Sequence, residues 1–236
     1  MKRLLYSLFI VLSITACERD NYEAPSSQLQ GNIVDESGRN VQMEQGAGHT
    51  RIRMDELSWS STPIPFYLNV KQDGSYINNK VFAAQYRMTP IDGPFYPMSI
   101  ENAPVIDVGG ETTVDFTVVP YLNVEWVSEP ALTADNKITA TFRFTKNPAP
   151  AGLTQPAMLD YQLFISTTQY VGNNNFDATI VTAVKPVTNA QEAQDITIVS
   201  NSPMKYATTF YVRVGVRVND SFKKYNYTDI KTVVAP

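Results

Sequence analysis

The feature of this sequence that most constrains its fold is a two-residue alternation of apolar and polar side chains. In the clearest case, apolar residues stand at every second position from 210 to 218, with Tyr211, Arg213 and Arg217 among the residues between them. An extended strand with one buried face requires this period, whereas a helix requires a period near 3.6. The same alternation occurs in residues 66–71, 113–118 and 138–144.

Turn-forming residues separate these runs. Asp73-Gly74, Asp92-Gly93-Pro94 and Gly109-Gly110 interrupt the alternation, and most of the 15 prolines lie between the runs. Only residues 189–194 could form a helical turn or two. Short alternating strands with such turns predict an all-β chain of antiparallel sandwiches. Pro120 interrupts the strands and divides the chain into residues 28–119 and 120–236, each the size of one sandwich.

The N-terminus has the composition of a lipoprotein signal. Lys2 and Arg3 precede an apolar run over residues 4–14, and Ala16 stands directly before Cys17. The run is too short to span a membrane comfortably. We therefore predict a signal peptide at residues 1–16 and a short lipidated tether at residues 17–27, with diacylglycerol on the Cys17 thiol. The alternative is a buried cysteine in a short N-terminal helix.

The acidic residues after this cysteine resemble a known export signal. Glu18 and Asp20 follow Cys17 closely. They are similar to the acidic residues that act as a signal for transfer to the cell surface in lipoproteins of the Bacteroidetes phylum. The predicted localisation is therefore the outer membrane, lipid-anchored, with the protein facing the cell exterior.

Charge and residue counts exclude several functional classes. The formal net charge is −4, so the chain lacks the positive field that holds nucleic acid or an anionic bilayer. Contact with a membrane is predicted through the lipid anchor only. One cysteine and one histidine exclude disulfide frameworks, Cys/His zinc sites and most nucleophile–histidine catalysis.

The acidic residues and the histidine also fail to predict an enzyme. Glycoside hydrolysis needs two facing carboxylates, but Asp55 and Glu56 are neighbours on a predicted strand and point apart. His49 lies in a Gly-rich stretch, and no G-x-S-x-G motif occurs. Asp107, Glu111 and Asp115 flank a glycine turn, and their side chains are predicted to be solvated. We predict no catalytic residue and no cofactor.

A run of asparagines offers oxygen atoms that could bind calcium. Asn173, Asn174, Asn175 and Asp177 lie close together in the sequence. The run lacks the order of a calcium loop and a bidentate acid, and asparagine also suits turns. A turn is the favoured interpretation, and no metal site is predicted.

Aromatic side chains in predicted loops are the candidate ligand-binding residues. Sugar C–H faces stack on aromatic rings, while polar side chains bind the hydroxyls. The candidates are Trp59, Tyr67, Phe95, Tyr96 and Tyr170. Each of them has a structural alternative: Trp59 could cap its sandwich, for example, and Phe95 could fill the end of a core. Trp126 is predicted in the core, and Tyr225 and Tyr227 on an edge or terminal strand.

The first half of the chain resembles a carboxypeptidase-regulatory-like, prealbumin-type sandwich. The resemblance rests on a D-x-x-G turn and a following DG-[ST]-[YF] hairpin before a Y-R-[VM] strand. Ala84 stands where that pattern usually has glycine. The matching segments are Gly31–Asp35, Gly38, Arg51–Met54, Asp73–Tyr76 and Ala83–Met88.

More specifically, the chain resembles a family of unknown function among Bacteroidetes lipoproteins, whose members accompany starch-utilisation-type (Sus-like) importer pairs. The second half is similar to that family's fibronectin type III or Ig-like sandwich, through residues 210–216 and 227–233. The resemblance implies a non-catalytic surface accessory in the capture of polysaccharide or oligosaccharide. The alternative is a structural spacer or protein-docking module of a surface assembly. In the first half, the segments are residues 44–46, 51–53, 57–59, 72–74, 79–82 and 93–95.

Overall fold

A computed structural model describes residues 23–236. The predicted signal peptide and Cys17 lie outside the described residues. The described chain forms two consecutive β-sandwich domains, which confirms the predicted all-β fold. Among residues 23–236, no helix is long and apolar enough to cross a membrane.

The first domain consists of two facing sheets. One sheet has the order β4-β1-β7, with β8 also paired to β1, and the other has the order β3-β2-β5-β6. The strands are β1 (Ser27–Val34), β2 (Arg51–Glu56), β3 (Phe66–Asn69), β4 (Ser75–Val81), β5 (Ala84–Ile91), β6 (Val105–Val108), β7 (Glu111–Thr113) and β8 (Phe116–Thr117).

The pairing of β7 and β8 differs from the predicted antiparallel arrangement. Both strands pair parallel to β1. The reason is that β6 ends at the same end of the domain where β1 begins, so the chain crosses to the other sheet and runs beside β1 in the same direction. The alternating run over residues 113–118 is also divided between two short strands.

The second domain contains a three-stranded and a five-stranded sheet. Their orders are β13-β10-β9 and β12-β11-β14-β15, with β16 paired to β14. A single 3-10 turn at Asn189–Gln191 lies in the segment predicted to form at most a helical turn or two. The strands are β9 (Leu122–Leu132), β10 (Ile138–Lys146), β11 (Met158–Ser166), β12 (Lys185–Pro186), β13 (Ile196–Val199), β14 (Thr209–Val218), β15 (Tyr225–Tyr227) and β16 (Lys231–Val234).

Each domain has its own hydrophobic core, and the alternation predicts its members well. In β10, the apolar positions from Ile138 to Phe144 are buried and the positions between them are half-buried. In β14, Phe210 and the four valines that follow at alternate positions are buried. Burial of these alternate apolar residues is the main stabilising contribution in both sandwiches.

The two ends of the first domain have different surroundings. We call one end the N-terminal pole, and it contains the start of β1, residues 57–65, residues 82–83 and the turn at Gly109-Gly110. The opposite end contains residues 35–45, 71–74 and 92–96, which contact the second domain. The sequence before residue 27 therefore joins the fold at the pole farthest from the second domain.

Candidate ligand groove between the domains

The segment after β5 connects the two cores. Phe95 packs in the core of the first domain, whereas the adjacent Tyr96 packs in the core of the second. The Tyr96 hydroxyl donates to the carbonyl oxygen of Asn147 at 3.1 Å. The Asn226 side-chain amide donates to the carbonyl oxygen of Pro94 at 2.8 Å. These contacts fix the loop of one domain against the strands of the other.

A buried polar contact also joins the domains. Glu44 accepts hydrogen bonds from the Tyr227 hydroxyl at 3.0 Å and from the Asn174 backbone N–H at 2.6 Å. Arg213 donates to the carbonyl oxygen of Met43 at 2.8 Å, and its guanidinium lies 3.6 Å from the Tyr227 ring centroid. Burial lowers the pKa of Arg213 and raises that of Tyr227 well above its ordinary value. Buried charged groups that are hydrogen-bonded to neutral partners across the junction in this way hold it in one geometry.

A polar groove runs along one side of this junction. It has a volume of about 470 Å³, and we call it the interdomain groove. One wall comes from the turn after β1, and the other comes from β9 and the segment from β15 to β16. Its lining includes Asp35, Arg39, Asn40, Gln42, Asn123, Glu125, Trp126, Glu129, Asn226, Asp229 and Lys231.

Trp126 is the largest aromatic side chain that lines the groove. It lies on β9, where it packs partly against the second core and also lines the groove. Its indole N–H donates to the carbonyl oxygen of Asp229 at 2.9 Å. The hydrogen bond fixes the orientation of the ring. A fixed, half-buried indole with polar neighbours is a suitable surface for the apolar face of a ligand.

Ion pairs hold the polar side chains of both walls. Arg39 contacts Asp35 at 3.0 Å, and Lys231 contacts Glu129 at 2.9 Å and Asp229 at 3.3 Å. Burial alone would raise the pKa of Asp35, but hydrogen bonds from Ser37 and Arg39 outweigh burial and lower it. The hydrogen bonds from Lys231 to Glu129 and Asp229 raise the pKa of Lys231. The groove therefore presents charged groups in defined positions.

The floor of the groove contains a buried acceptor. Asn226 is buried, and its side-chain oxygen has no hydrogen-bond partner within residues 23–236. Its amide nitrogen is occupied by the bond to Pro94 described above. This oxygen has almost no accessible surface, so a ligand in the groove meets the surrounding polar side chains and not Asn226 Oδ1.

A second, more apolar depression lies on the other side of the connecting segment. It has a volume of about 770 Å³, and we call it the apolar hollow. Burial and the nearby charge of Asp220 raise the pKa of Tyr121, in its wall, to about 12. Its lining includes Phe95, Tyr96, Met98, Tyr121, Leu153, Asp220 and Phe222.

The structure separates the three candidate aromatics that it leaves exposed. Trp59 is 72% exposed in the loop after β2, at the N-terminal pole. Tyr67 lies on β3, and the Arg51 guanidinium covers one face of its ring at 4.2 Å. Tyr170 lies in the second domain, next to Gln169, which contacts Gln72 across the junction. No single surface brings these three rings together.

Phe95 and Tyr96 correct the expectation of exposed loop rings. Each is only 3% exposed, because the loop that carries them is clamped between the two domains. Tyr225 and Tyr227 do lie on the terminal strand of the five-stranded sheet, as expected, but both are buried, Tyr227 against Glu44 of the first domain and Tyr225 against Phe164 and Arg217. Trp126 was expected in the core. Its groove-facing position was missed, since alternation indicates the face of a strand but not what covers that face.

The histidine and the asparagine run have structural contacts at the same junction. The Lys224 ammonium lies 3.3 Å from His49 Nδ1 and donates to the carbonyl oxygen of Gly48. Asn174 contacts Glu44 and Gln45, so the asparagine loop joins the domains. Within residues 23–236, no group of three His, Cys, Asp or Glu side chains is placed to hold a metal ion.

Comparison with sequence families gives two adjacent matches. Residues 27–119 match the N-terminal domain of DUF3823, described as a protein of unknown function. Residues 127–232 match the domain of unknown function DUF3823_C. A comparison with curated proteins gives no match.

Solved structures include similar two-domain proteins. A DUF3823 protein from Bacteroides uniformis is 26% identical, with a TM-score of 0.77 over 90% of this chain and 100% of that chain. A DUF3823 protein from Parabacteroides merdae is 19% identical, with a TM-score of 0.71 over 89% of this chain and 100% of that chain. A candidate carbohydrate-binding protein from Bacteroides uniformis is 24% identical, with a TM-score of 0.68 over 89% of this chain and 100% of that chain.

Proposed function

The chain belongs to the DUF3823 family of unknown function, and we propose that it is a non-catalytic surface lipoprotein that binds glycan in the interdomain groove. The observation that carries this proposal is the combination of an oriented Trp126 ring and paired polar side chains in one groove. A similar structure described as a candidate carbohydrate-binding protein supports the same class of ligand.

The groove has the two kinds of contact that a sugar ring needs. The apolar C–H face of a pyranose stacks on Trp126, whose indole N–H is already bonded to Asp229. The ring hydroxyls then donate to the acidic groups and accept from Arg39 and the side-chain amides. The fixed positions of these polar side chains give the contact its specificity.

The charges of the groove favour a neutral glycan. Four acidic residues line it against two basic ones, Arg39 and Lys231. An anionic sugar would meet like charges, and such contacts oppose binding. The acidic residues are Asp35, Glu125, Glu129 and Asp229.

A binding role fits these carboxylates better than catalysis. Asp35 is paired with Arg39, and Glu129 and Asp229 share Lys231. Glycoside hydrolysis needs two carboxyl groups that face each other across the scissile bond, whereas the four carboxylates of this groove are engaged in ion pairs, Glu125 with Arg143. The groove therefore holds a glycan without cleaving it.

The sequence also motivates a cell-surface location and a partner. Lipidation of Cys17 would anchor the chain in the outer membrane, and the acidic residues behind it would direct export. Two or more acyl chains give stable anchoring, since each buried CH₂ contributes about 0.8 kcal/mol. We propose that the anchored protein holds oligosaccharide near a Sus-like importer pair, as the family resemblance implies.

The buried junction favours one alternative, a rigid structural spacer or docking module. Glu44, Arg213 and Tyr227 fix the two domains as a spacer would require. Affinity electrophoresis of residues 23–236 distinguishes glycan binding from the role of a structural spacer. A glycan-binding protein is retarded in gels containing a neutral polysaccharide (xyloglucan, galactomannan or starch) and not in gels containing polygalacturonate. Equal mobility in every gel would favour the spacer.

A further inference from the structure

The N-terminal pole exposes large apolar side chains. Trp59 is 72% exposed and Ile64 is 92% exposed, and both lie in the loop between β2 and β3. Phe66 and Phe82 are also exposed at this pole. Exposed apolar side chains gathered at one end of a soluble domain mark a contact surface.

Local contacts hold these residues at the same end of the sandwich. The Phe66 and Tyr86 rings meet edge to face at 5.9 Å, and the Tyr86 hydroxyl donates to the carbonyl oxygen of Phe82 at 3.1 Å. The loop with Trp59 is tied to β5, because Ser58 Oγ accepts from the Gln85 backbone N–H at 2.9 Å. The exposed rings are thus supported by ordered neighbours.

The tether reaches the fold at this pole. Ser27 begins β1 and pairs with Val81, one residue before Phe82. Ser27 lies ten positions after Cys17, and a fully extended chain over ten positions spans at most about 35 Å. A relaxed tether of ten residues spans only about 17 Å. An anchor at Cys17 therefore holds the N-terminal pole toward the bilayer and the interdomain groove away from it.

From these observations we propose that the N-terminal pole lies on the membrane surface, with Trp59, Ile64 and Phe82 in the interfacial layer. The proposal rests on the proposed lipid anchor. Tryptophan favours the headgroup region, where its ring is buried and its N–H remains hydrated. A Trp59 ring that lies in the interface is not available to a glycan, so the two roles of this residue are alternatives.

The contact is apolar and not electrostatic. Charged residues near this pole include Glu56, Asp107 and Glu111 against Lys80. This acidic excess gives no attraction to anionic headgroups. Contact with a zwitterionic bilayer is therefore expected, with little dependence on salt concentration.

The single cysteine allows a direct test. Residues 17–236 are coupled through Cys17 to maleimide-phosphatidylethanolamine in phosphatidylcholine vesicles, with or without brominated acyl chains. Trp126→Phe leaves Trp59 as the only tryptophan, and Trp59→Phe leaves Trp126 as the matched control. Bromine should quench Trp59 emission about twofold and leave Trp126 emission unchanged. Ile64→Ser, at a 92% exposed position, should reduce the quenching of Trp59 without unfolding the domain.

Equal emission of Trp59 in brominated and unbrominated vesicles would overturn the proposal. The vesicle test supplies the anchor chemically, so it does not depend on lipidation in the cell. Membrane fractionation of the Cys17→Ala variant tests the anchor, and glycan titration tests the groove. Failure of the lipid anchor, or of glycan binding in the groove, can therefore be distinguished from failure of the membrane contact.

Discussion

Tyr227 of the second domain donates its hydroxyl to Glu44 of the first domain across 3.0 Å, and both side chains are buried. Arg213 lies against the same ring, 3.6 Å from its centroid. Asn226, the neighbour of Tyr227 in β15, lines the interdomain groove. The contact between Glu44 and Tyr227 therefore fixes the domains and, with them, the two walls of the groove.

Removing this hydroxyl should weaken the whole fold. Tyr227→Phe leaves one buried carboxylate oxygen of Glu44 without its donor, which costs about 1–3 kcal/mol in the free energy of unfolding. Urea denaturation followed by circular dichroism measures the change. The control is Tyr206→Phe at an exposed position, with an expected change within about 0.5 kcal/mol. Equal stabilities of the two variants would show that the contact contributes nothing.

Two glycine substitutions test how closely β1 packs against Val114 in the same domain. A Cβ on Gly31 would overlap the carbonyl oxygen of Val114 and approach the Tyr76 hydroxyl. Gly31→Ala should therefore lower the free energy of unfolding by about 1–3 kcal/mol. Gly109 has open space around its Cα, so Gly109→Ala should be close to wild type. Thermal unfolding of the two variants compares them, and a stable Gly31→Ala protein would refute the close packing.

The single histidine makes the junction sensitive to mild acid. Burial, and then the charge of Lys224, lower the pKa of His49 below 6.5. The unfolded chain therefore binds a proton at His49 before the folded chain does. The contribution of His49 to the free energy of unfolding should be constant above pH 6.5. It should fall as the pH drops from 6.5 through the lowered pKa of the folded state.

Imidazole resonances in an NMR titration should give that pKa without ambiguity, since the chain has one histidine. His49→Gln keeps an acceptor for Lys224 and should flatten the pH dependence just below 6.5. A His49 pKa at or above 6.5 would contradict the effect of the buried junction.

The lipid anchor is tested by one substitution. Cys17→Ala removes the only thiol and should release the protein from the membrane fraction into the soluble fraction. A control variant, Ser26→Ala, changes the tether but leaves the cysteine, so it should stay with the membrane. Membrane association of Cys17→Ala equal to that of the control would refute lipidation at this residue.

Local sequence predicts which residues of this protein form strands better than it predicts which segments pair with or cover those strands. Residues 138–144 and 210–218 alternate because one face of each strand packs in a core, and the structure buries that face. The parallel pairing of β7 with β1 depends on where the chain crosses between sheets, which no local pattern records.

The candidate site was less predictable, for the same reason. Phe95 and Tyr96 have the loop composition of exposed residues, yet a second domain covers them. Along β9, Leu122 is buried whereas Val124 and Trp126 are only partly buried, and all three line the groove. The other wall comes from residues 35–42, about ninety positions away in the sequence. The spacing of residues in one strand cannot predict such a partner.

The most direct test of the glycan groove is a calorimetric titration of residues 23–236 with oligosaccharides from a neutral polysaccharide that retards the protein. Trp126→Ala should weaken the affinity by about tenfold or more, since the stacking surface is lost. Tyr206→Ala, at an exposed position of the same domain, should bind like wild type. Affinity that is unchanged in Trp126→Ala, or wild-type protein that binds no neutral glycan, would contradict the proposed function.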